Sequence, residues 1–169
     1  MTEPTEPRLR KILFICTGNC VRSQMAEAIT NYRGRGRVEA LSGGVEPAGY
    51  VHRTALHVLG EIHVFPRKPK SKHWCEMTGQ QLDAIILMSD EAREQVPLEW
   101  QNENPLSLSP AWAYWDLADP THAPALGVKD HLLEFRRIRD EIRRRIEHIA
   151  LAPAHILEDN AAFAELIVM

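Results

Sequence analysis

The sequence predicts an α/β fold, a single domain in which a parallel sheet carries helices on both faces, and three observations support it. Two short unbroken apolar runs, KILFIC at residues 11–16 and LDAIILMS at 82–89, have the length and continuity of strands buried on both sides. Stretches with helical spacing separate and follow them, and strands alternating with helices are the pattern of a parallel sheet. At 169 residues the chain has the size of one domain.

In order along the chain, residues 1–9 form a polar tail, 10–150 the domain proper and 151–169 a C-terminal extension, a short terminal helix or a packing tail, to which no chemistry can be assigned. The first strand stops at TGN, and a helix begins at Ser23, with Met25, Ala28 and Ile29 on one side, before Gly34 and Gly36 end it. Residues 38–41 make a second strand. Gly43, Gly44 and Pro47 punctuate the step to a helix over 52–59. Residues 64–73, VFPRKPKSKH, are proline-broken and basic, an exposed connection before a short helix over 73–77. After the strand at 82–89 comes helix-prone DEAREQ, then an irregular passage from 97 to 124. Its Trp112, Tyr114 and Trp115 either wall a cleft or anchor the loop to the core. The last long helix, 128–149, carries an apolar stripe of Val128, Leu132, Phe135, Ile142, Ile146 and Ile149. Its arginines read as a solvated face with Asp140–Arg144 and Glu141–Arg145 pairs.

Composition narrows the function. With 44% hydrophobic and 25% charged residues the chain is of the soluble globular type. A net charge of −3 gives no reason to expect a nucleic-acid or membrane partner. The first residues carry Pro and Glu where a secretory signal has an apolar stretch, so a cytoplasmic location is expected. Cys16, Cys20 and Cys75 cannot form a disulfide framework, and no His/Cys cluster has metal-ligand spacing, so neither metal nor cofactor is expected.

The chemistry lies between the first strand and first helix. Cys16 and Arg22 bracket five residues there, a loop long enough to curl so that its N–H groups and the following helix N-terminus form a nest for a tetrahedral oxyanion. Thr17, Gly18, Asn19, Cys20, Val21, Arg22 and Ser23 are the candidate oxyanion-binding residues. Arg22 can clamp the anion with parallel charge-assisted hydrogen bonds. The same positive field favours Cys16 as a thiolate nucleophile, which the Ser23 hydroxyl can support. Gly18 permits close backbone approach, and Asn19 tolerates left-handed geometry while its amide braces the loop.

The segment CTGNCVRSQMAEA resembles the phosphate-binding loop and first helix of the low molecular weight protein tyrosine phosphatases and of the arsenate reductases that share their fold. The resemblance spans residues 10–149, including SGGVEP, SKHW, LDAIILMSDE, Asp119-Pro120 and FRRIRDEIRRRIE. It implies a four-stranded parallel sheet and makes residues 10–150 a phosphatase-like catalytic domain. It also makes Asp119 the general acid, the third catalytic residue beside Cys16 and Arg22. A proton donor is what expulsion of an alkoxide or phenolate requires.

The sequence departs from the family in two places. The second loop cysteine, which family members place just before the arginine, is here Cys20, with Val21 in the family position. The two further cysteines that thioredoxin-linked reductases carry at and after the end of the third strand are missing. On the other side, SQMAE and the passage from WDLADP to FRRIRDEI look more like the reductases.

The first reading is therefore a cysteine-dependent phosphate monoester hydrolase working through a phosphocysteine. The alternative is arsenate reductase with an external thiol donor, and a second alternative is a non-catalytic oxyanion or partner-binding module. The expected partners are a phosphorylated substrate or free phosphate or arsenate, with a thiol reductant in the second case. Cys20 is either a redox guard for Cys16 or a small packing residue, and Cys75 is read as a buried packing cysteine. His52 and His73 fall near the rim and receive no role.

Overall fold

A computed structural model describes residues 8–97, 110–122 and 127–169. The first seven residues of the tail and much of the passage predicted to be irregular, with Trp100 and Pro124, lie outside the described residues.

The central strand β1 (Arg10–Cys16) pairs in parallel with β2 (Val38–Gly44) on one side and β3 (Ala84–Leu87) on the other, and β4 (Ala111–Tyr114) pairs with β3. The order β2-β1-β3-β4 gives the predicted four-stranded parallel sheet. Because side chains alternate across a strand, β1 feeds two cores. Ile12, Phe14 and Cys16 join Ala84 and Ile86 under α1 (Arg22–Gly34), α2 (Arg53–Glu61) and α4 (Val128–Ala150). Leu13 and Ile15 join Ile85, Leu87 and Met77 on the opposite face, beside α3 (Asp90–Gln95). Full burial of each such Ile, Leu or Phe contributes about 1.5–3 kcal/mol. No helix among the described residues is long and apolar enough to cross a membrane.

Three local expectations need correction. First, β2 continues to Gly44 because its glycines answer close approach rather than a turn. A Cβ on Gly43 would lie 2.6 Å from Trp74 Cα, and one on Gly44 2.6 Å from the Thr17 carbonyl oxygen. Second, the passage from 97 to 124 contains β4, too short to stand out by periodicity. Of its aromatics, Trp112 and Tyr114 pack against the second core, and Trp115, just beyond the strand, is buried against Phe14. They are anchors. Third, Val128 is 89% exposed at the first position of α4, and Ile138 occupies the stripe in its place.

The arginine face of α4 is paired, as predicted for Glu141 and Arg145 at 2.8 Å. Asp140, however, pairs with Arg139 at 2.9 Å instead of Arg144. Arg139 also reaches Glu61 at 2.7 Å and the Val58 carbonyl at 2.9 Å, binding α4 to the end of α2. The hydrogen bond from Arg136, joined by Arg139, holds the Glu61 carboxyl down to about 2.

Residues beyond α4 fold back on the sheet as α5 (Ala154–Glu158) and α6 (Asn160–Val168). Leu157, Phe163 and Ile167 enter the first core, and the Trp115 indole N–H donates to the Ile167 carbonyl at 2.9 Å. Arg10, buried at the start of β1, bonds Asp83 at 2.9 Å, Asn160 at 2.8 Å and the Glu158 carbonyl at 3.0 Å, with its guanidinium 4.8 Å from the Phe163 ring centre. Phe163→Ala removes that cover and is expected to cost about 3–5 kcal/mol in equilibrium urea unfolding. A loss under about 1 kcal/mol would show that α6 lies on the core without contributing to it.

Candidate active site

β1 delivers Cys16 to the carboxyl edge of the sheet, buried, and the chain then curls through residues 17–21 into α1. The loop is held open from outside. The carbonyls of Cys16, Thr17, Gly18 and Cys20 accept from the N–H groups of Val45 (3.1 Å), Glu46, Ala48 and His52 (each 2.9 Å). Since a planar trans peptide sets its N–H opposite its C=O, the N–H of each following residue turns toward the other side. Helix α1 begins with no side-chain cap at Val21, so its first N–H groups remain available to an anion.

Asn19 holds the loop's shape from within. At φ 46° it adopts the left-handed conformation, and its fully buried side chain donates to Ser23 and Ser42, both at 2.8 Å. Its amide oxygen accepts from Gln24 at 3.0 Å and from the Lys72 N–H at 2.9 Å. Ser42 hydrogen-bonds Glu27, to which Lys72 Nζ also reaches at 3.2 Å. The Ser71 hydroxyl donates to the Gly18 carbonyl at 3.0 Å. The Thr17 hydroxyl lies 3.1 Å from Ser89 Oγ and 3.0 Å from Glu91. That carboxyl is held below the usual glutamate value by a backbone hydrogen bond and by Thr17, so Glu91 stays ionised.

The structure brings Cys16, Ser23, Arg22 and Asp119 together. Cys16 Sγ and Ser23 Oγ are 2.9 Å apart. Arg22 is buried, its Nη1 donating to the carbonyls of Met88 and Leu117, both at 3.0 Å, and its Nη2 to Asp119 at 3.0 Å. An oxyanion held by Arg22 would compete with Asp119 for Nη2. Burial pushes the Asp119 carboxyl up, but the Thr121 hydroxyl (2.7 Å) and amide (2.9 Å), with Arg22 and His122, outweigh it and hold the group below the ordinary aspartate value.

The remaining predicted residues are placed as follows. Val21 packs in the first core and offers the anion only backbone. Cys20 is half-buried, and burial, joined by its neighbours Cys16 and Asp119, pushes its thiol up. Cys75 is exposed, not buried as expected, because its four-residue 3-10 turn (Trp74–Met77) sends Met77 inward instead. His52 caps α2 by accepting from the Thr54 N–H and stacks on Phe135 at 5.0 Å. His73 caps the 3-10 turn. Sequence reasoning missed Gln24, Glu27, Ser42, Ser71, Lys72, Ser89 and Glu91. Among the described residues no group of three His, Cys, Asp or Glu side chains could hold a metal ion.

A cysteine at a strand end, five loop residues and an arginine at the first position of a helix form the candidate oxyanion loop of a cysteine-based site. The chain belongs to the low molecular weight phosphotyrosine protein phosphatase family, whose sequence model matches residues 11–161. Its relatives include arsenate reductase 2 of Staphylococcus epidermidis, 30% identical over 82% of this chain and 94% of that one. The glutaredoxin arsenate reductase of Synechocystis sp. is 26% identical over 83% of this chain and 96% of its own length. Among solved structures, an arsenate reductase in the phosphate binding state superposes with a TM-score of 0.64 at 26% identity, covering 83% of this chain and 96% of that one. An arginine phosphatase from Geobacillus stearothermophilus does so with 0.59 at 26% identity, covering 83% and 90%.

Two predictions follow from the geometry. Gly44→Ala would set a methyl group 2.6 Å from the Thr17 carbonyl and 2.9 Å from the Asn19 nitrogen, forcing the loop to shift. Phosphate affinity, read by calorimetry, should fall by at least about tenfold, since displacing loop donors by ångström fractions weakens several hydrogen bonds together. Unchanged affinity would show that the loop does not depend on β2. Cys20 is half-buried, and that burial, the chief cause of its raised pKa, persists without Cys16, whereas Cys75 is exposed, so in Cys16→Ser protein at pH near 8 iodoacetamide should label Cys20 more slowly than Cys75. Faster labelling of Cys20 in peptide maps would contradict this.

Proposed function

We propose that the chain reduces arsenate, with Cys16 forming the arsenic–sulfur bond and an external thiol completing the reduction. The observation that carries the reading is Cys16 at the floor of an oxyanion loop, beside Arg22 and Asp119, in a chain whose relatives over four-fifths of its length are named arsenate reductases.

The Cys16 thiolate attacks arsenic(V): an S–As bond forms, an As–O bond breaks, and the departing hydroxide leaves as water with a proton from Asp119. Asp119 can hold that proton because the bound anion takes its place at Arg22, removing a cation from its side and adding a negative charge, and both changes raise its pKa. The Ser23 hydroxyl supports Cys16 as attacking and as leaving sulfur. An external thiolate then attacks Cys16 Sγ. The S–S bond forms, the S–As electron pair stays with arsenic, and arsenite departs as arsenic(III). A second thiol exchanges with the mixed disulfide and restores Cys16. One arsenate and two thiols thus yield arsenite, a disulfide and water.

The reductant is external because the chain offers no good internal one. At the end of β3 stand Met88, buried, and Ser89, whose oxygen caps α3 and contacts Thr17. Cys20 is held protonated, and bridging it to Cys16 would bring two residues of one braced loop within the roughly 7 Å Cα separation of a disulfide. A cytoplasmic location, expected from the sequence, would supply low molecular weight thiols and glutaredoxin.

A second reading is phosphate monoester hydrolysis, favoured by the same missing thiol: Cys16, Arg22 and Asp119 suffice for in-line attack on phosphorus and for protonation of the leaving group. Assaying pure protein on arsenate with glutathione, glutaredoxin and NADPH-coupled recycling, alongside p-nitrophenyl phosphate, separates the two. Arsenate-dependent NADPH consumption is expected, lost in Cys16→Ser, retained in Cys75→Ser and absent with thioredoxin alone. Hydrolysis of the ester without arsenate reduction by any donor would establish the phosphatase reading instead, and thioredoxin-driven turnover abolished by Cys20→Ser would overturn the external thiol.

A further inference from the structure

The basic, proline-broken segment at residues 64–73 finds no use in the chemistry above, yet it forms one side of a groove of about 730 Å³ against α1. Its inner edge faces the oxyanion loop: the Lys70 carbonyl accepts from Gln24 at 2.8 Å, and Ser71 and the Lys72 N–H bond Gly18 and Asn19. Its outer edge carries Arg67, Lys68 and Lys70, all exposed and none in an ion pair with a described residue. Arg35, like Arg33, lies over the Tyr32 ring, at 5.7 Å, and makes no ion pair with a described residue. The one carboxylate of the lining, Glu27, is already satisfied by Lys72 and Ser42. Two aromatic rings complete the rim, Phe65 at 72% exposure and Tyr32 at 38%.

We propose that this groove docks an acidic, extended segment of a partner protein that carries an apolar anchor side chain. Unpaired cations beside exposed aromatic rings complement that chemistry on both counts: the cations steer and register the acidic residues, and the rings take the anchor. A long polyanion is a poorer fit, because the cations are confined to one short segment of a chain whose net charge is −3. The buried side chains of Asn19 and Gln24 separate the groove from the anion cradle, so a segment docked here leaves the mouth of the site free. The inference holds whichever oxyanion chemistry the loop performs.

The test uses a fluorescein-labelled peptide of glutamates and aspartates around a central leucine, a second peptide with serine for leucine, an oligothymidylate and phosphatidylserine vesicles. The leucine peptide should bind by fluorescence anisotropy, weaken several-fold as salt is raised through the physiological range, and bind at least fivefold more tightly than the serine peptide. Arg67→Glu with Lys68→Glu should cost more than tenfold, while Phe65→Ala should bring the leucine peptide down to the serine peptide's affinity. Thermal melting checks that these surface variants stay folded, and Arg67→Gln with Lys68→Gln gives a milder second pair with the same sign. Saturating inorganic phosphate should leave peptide affinity within twofold. The proposal is overturned if the variants bind the leucine peptide as the parent does, if the two peptides bind equally, if phosphate competes, or if the oligothymidylate or the vesicles bind through these residues more tightly than the peptide.

Discussion

The buried guanidinium of Arg22 is the constraint around which the carboxyl edge of the sheet is arranged. A cation removed from water must be compensated, and here two carbonyls, one after β3 and one after β4, take Nη1 while Asp119 takes Nη2. These bonds tie the first residue of α1 to the chain just beyond β3 and β4 and to Asp119. The carbonyls are permanent partners. The carboxylate is one that an oxyanion of similar size and charge can replace, so the pair that stabilises the empty site is also the pair that binding rearranges. In the proposed mechanism that replacement would let an ionised Asp119 hold a proton and so couple anion binding to acid catalysis.

The loop can accept that anion only if it does not collapse onto Arg22, and the structure prevents collapse from three directions. Asn19 holds the left-handed turn through Ser23 and Ser42, the segment after Val64 draws on Gly18 and Asn19 from behind, and Thr17 is held by Ser89 and Glu91 at the start of α3. β3 is followed by Met88 and Ser89, and no cysteine stands there. Ser89 helps to position the loop through Thr17, and under the proposed arsenate chemistry a second thiol would come from outside the chain.

Much of this was legible in the sequence because it is local. An unbroken apolar run ending in Cys16, followed by Arg22 six residues later, specifies a strand, a loop and a helix N-terminus without reference to the rest of the chain. Asp119 was legible only through resemblance, since an Asp-Pro pair is ordinary turn chemistry until Arg22 is seen beside it. The loop's supports were not legible: Glu27, Ser42 and Glu91 come from three separate elements and Lys72 from a connection, and nothing in their spacing announces that they meet. Four residues of β4 are too few for a periodicity to show, and Gly43 and Gly44 look like a turn until Trp74 and Thr17 are found against them. The seat of the last helices was hidden for the same reason, because Arg10 and Phe163 meet only after the chain has closed.

The exchange at Arg22 can be measured directly by carboxyl-carbon NMR titration of aspartate-labelled protein, with the Asp119 signal assigned from Asp119→Asn, in the absence and presence of saturating phosphate. Without phosphate the Asp119 midpoint should lie below the ordinary aspartate value, and with phosphate it should move upward. A midpoint that phosphate leaves in place, or lowers, would contradict the replacement of Asp119 by the bound anion.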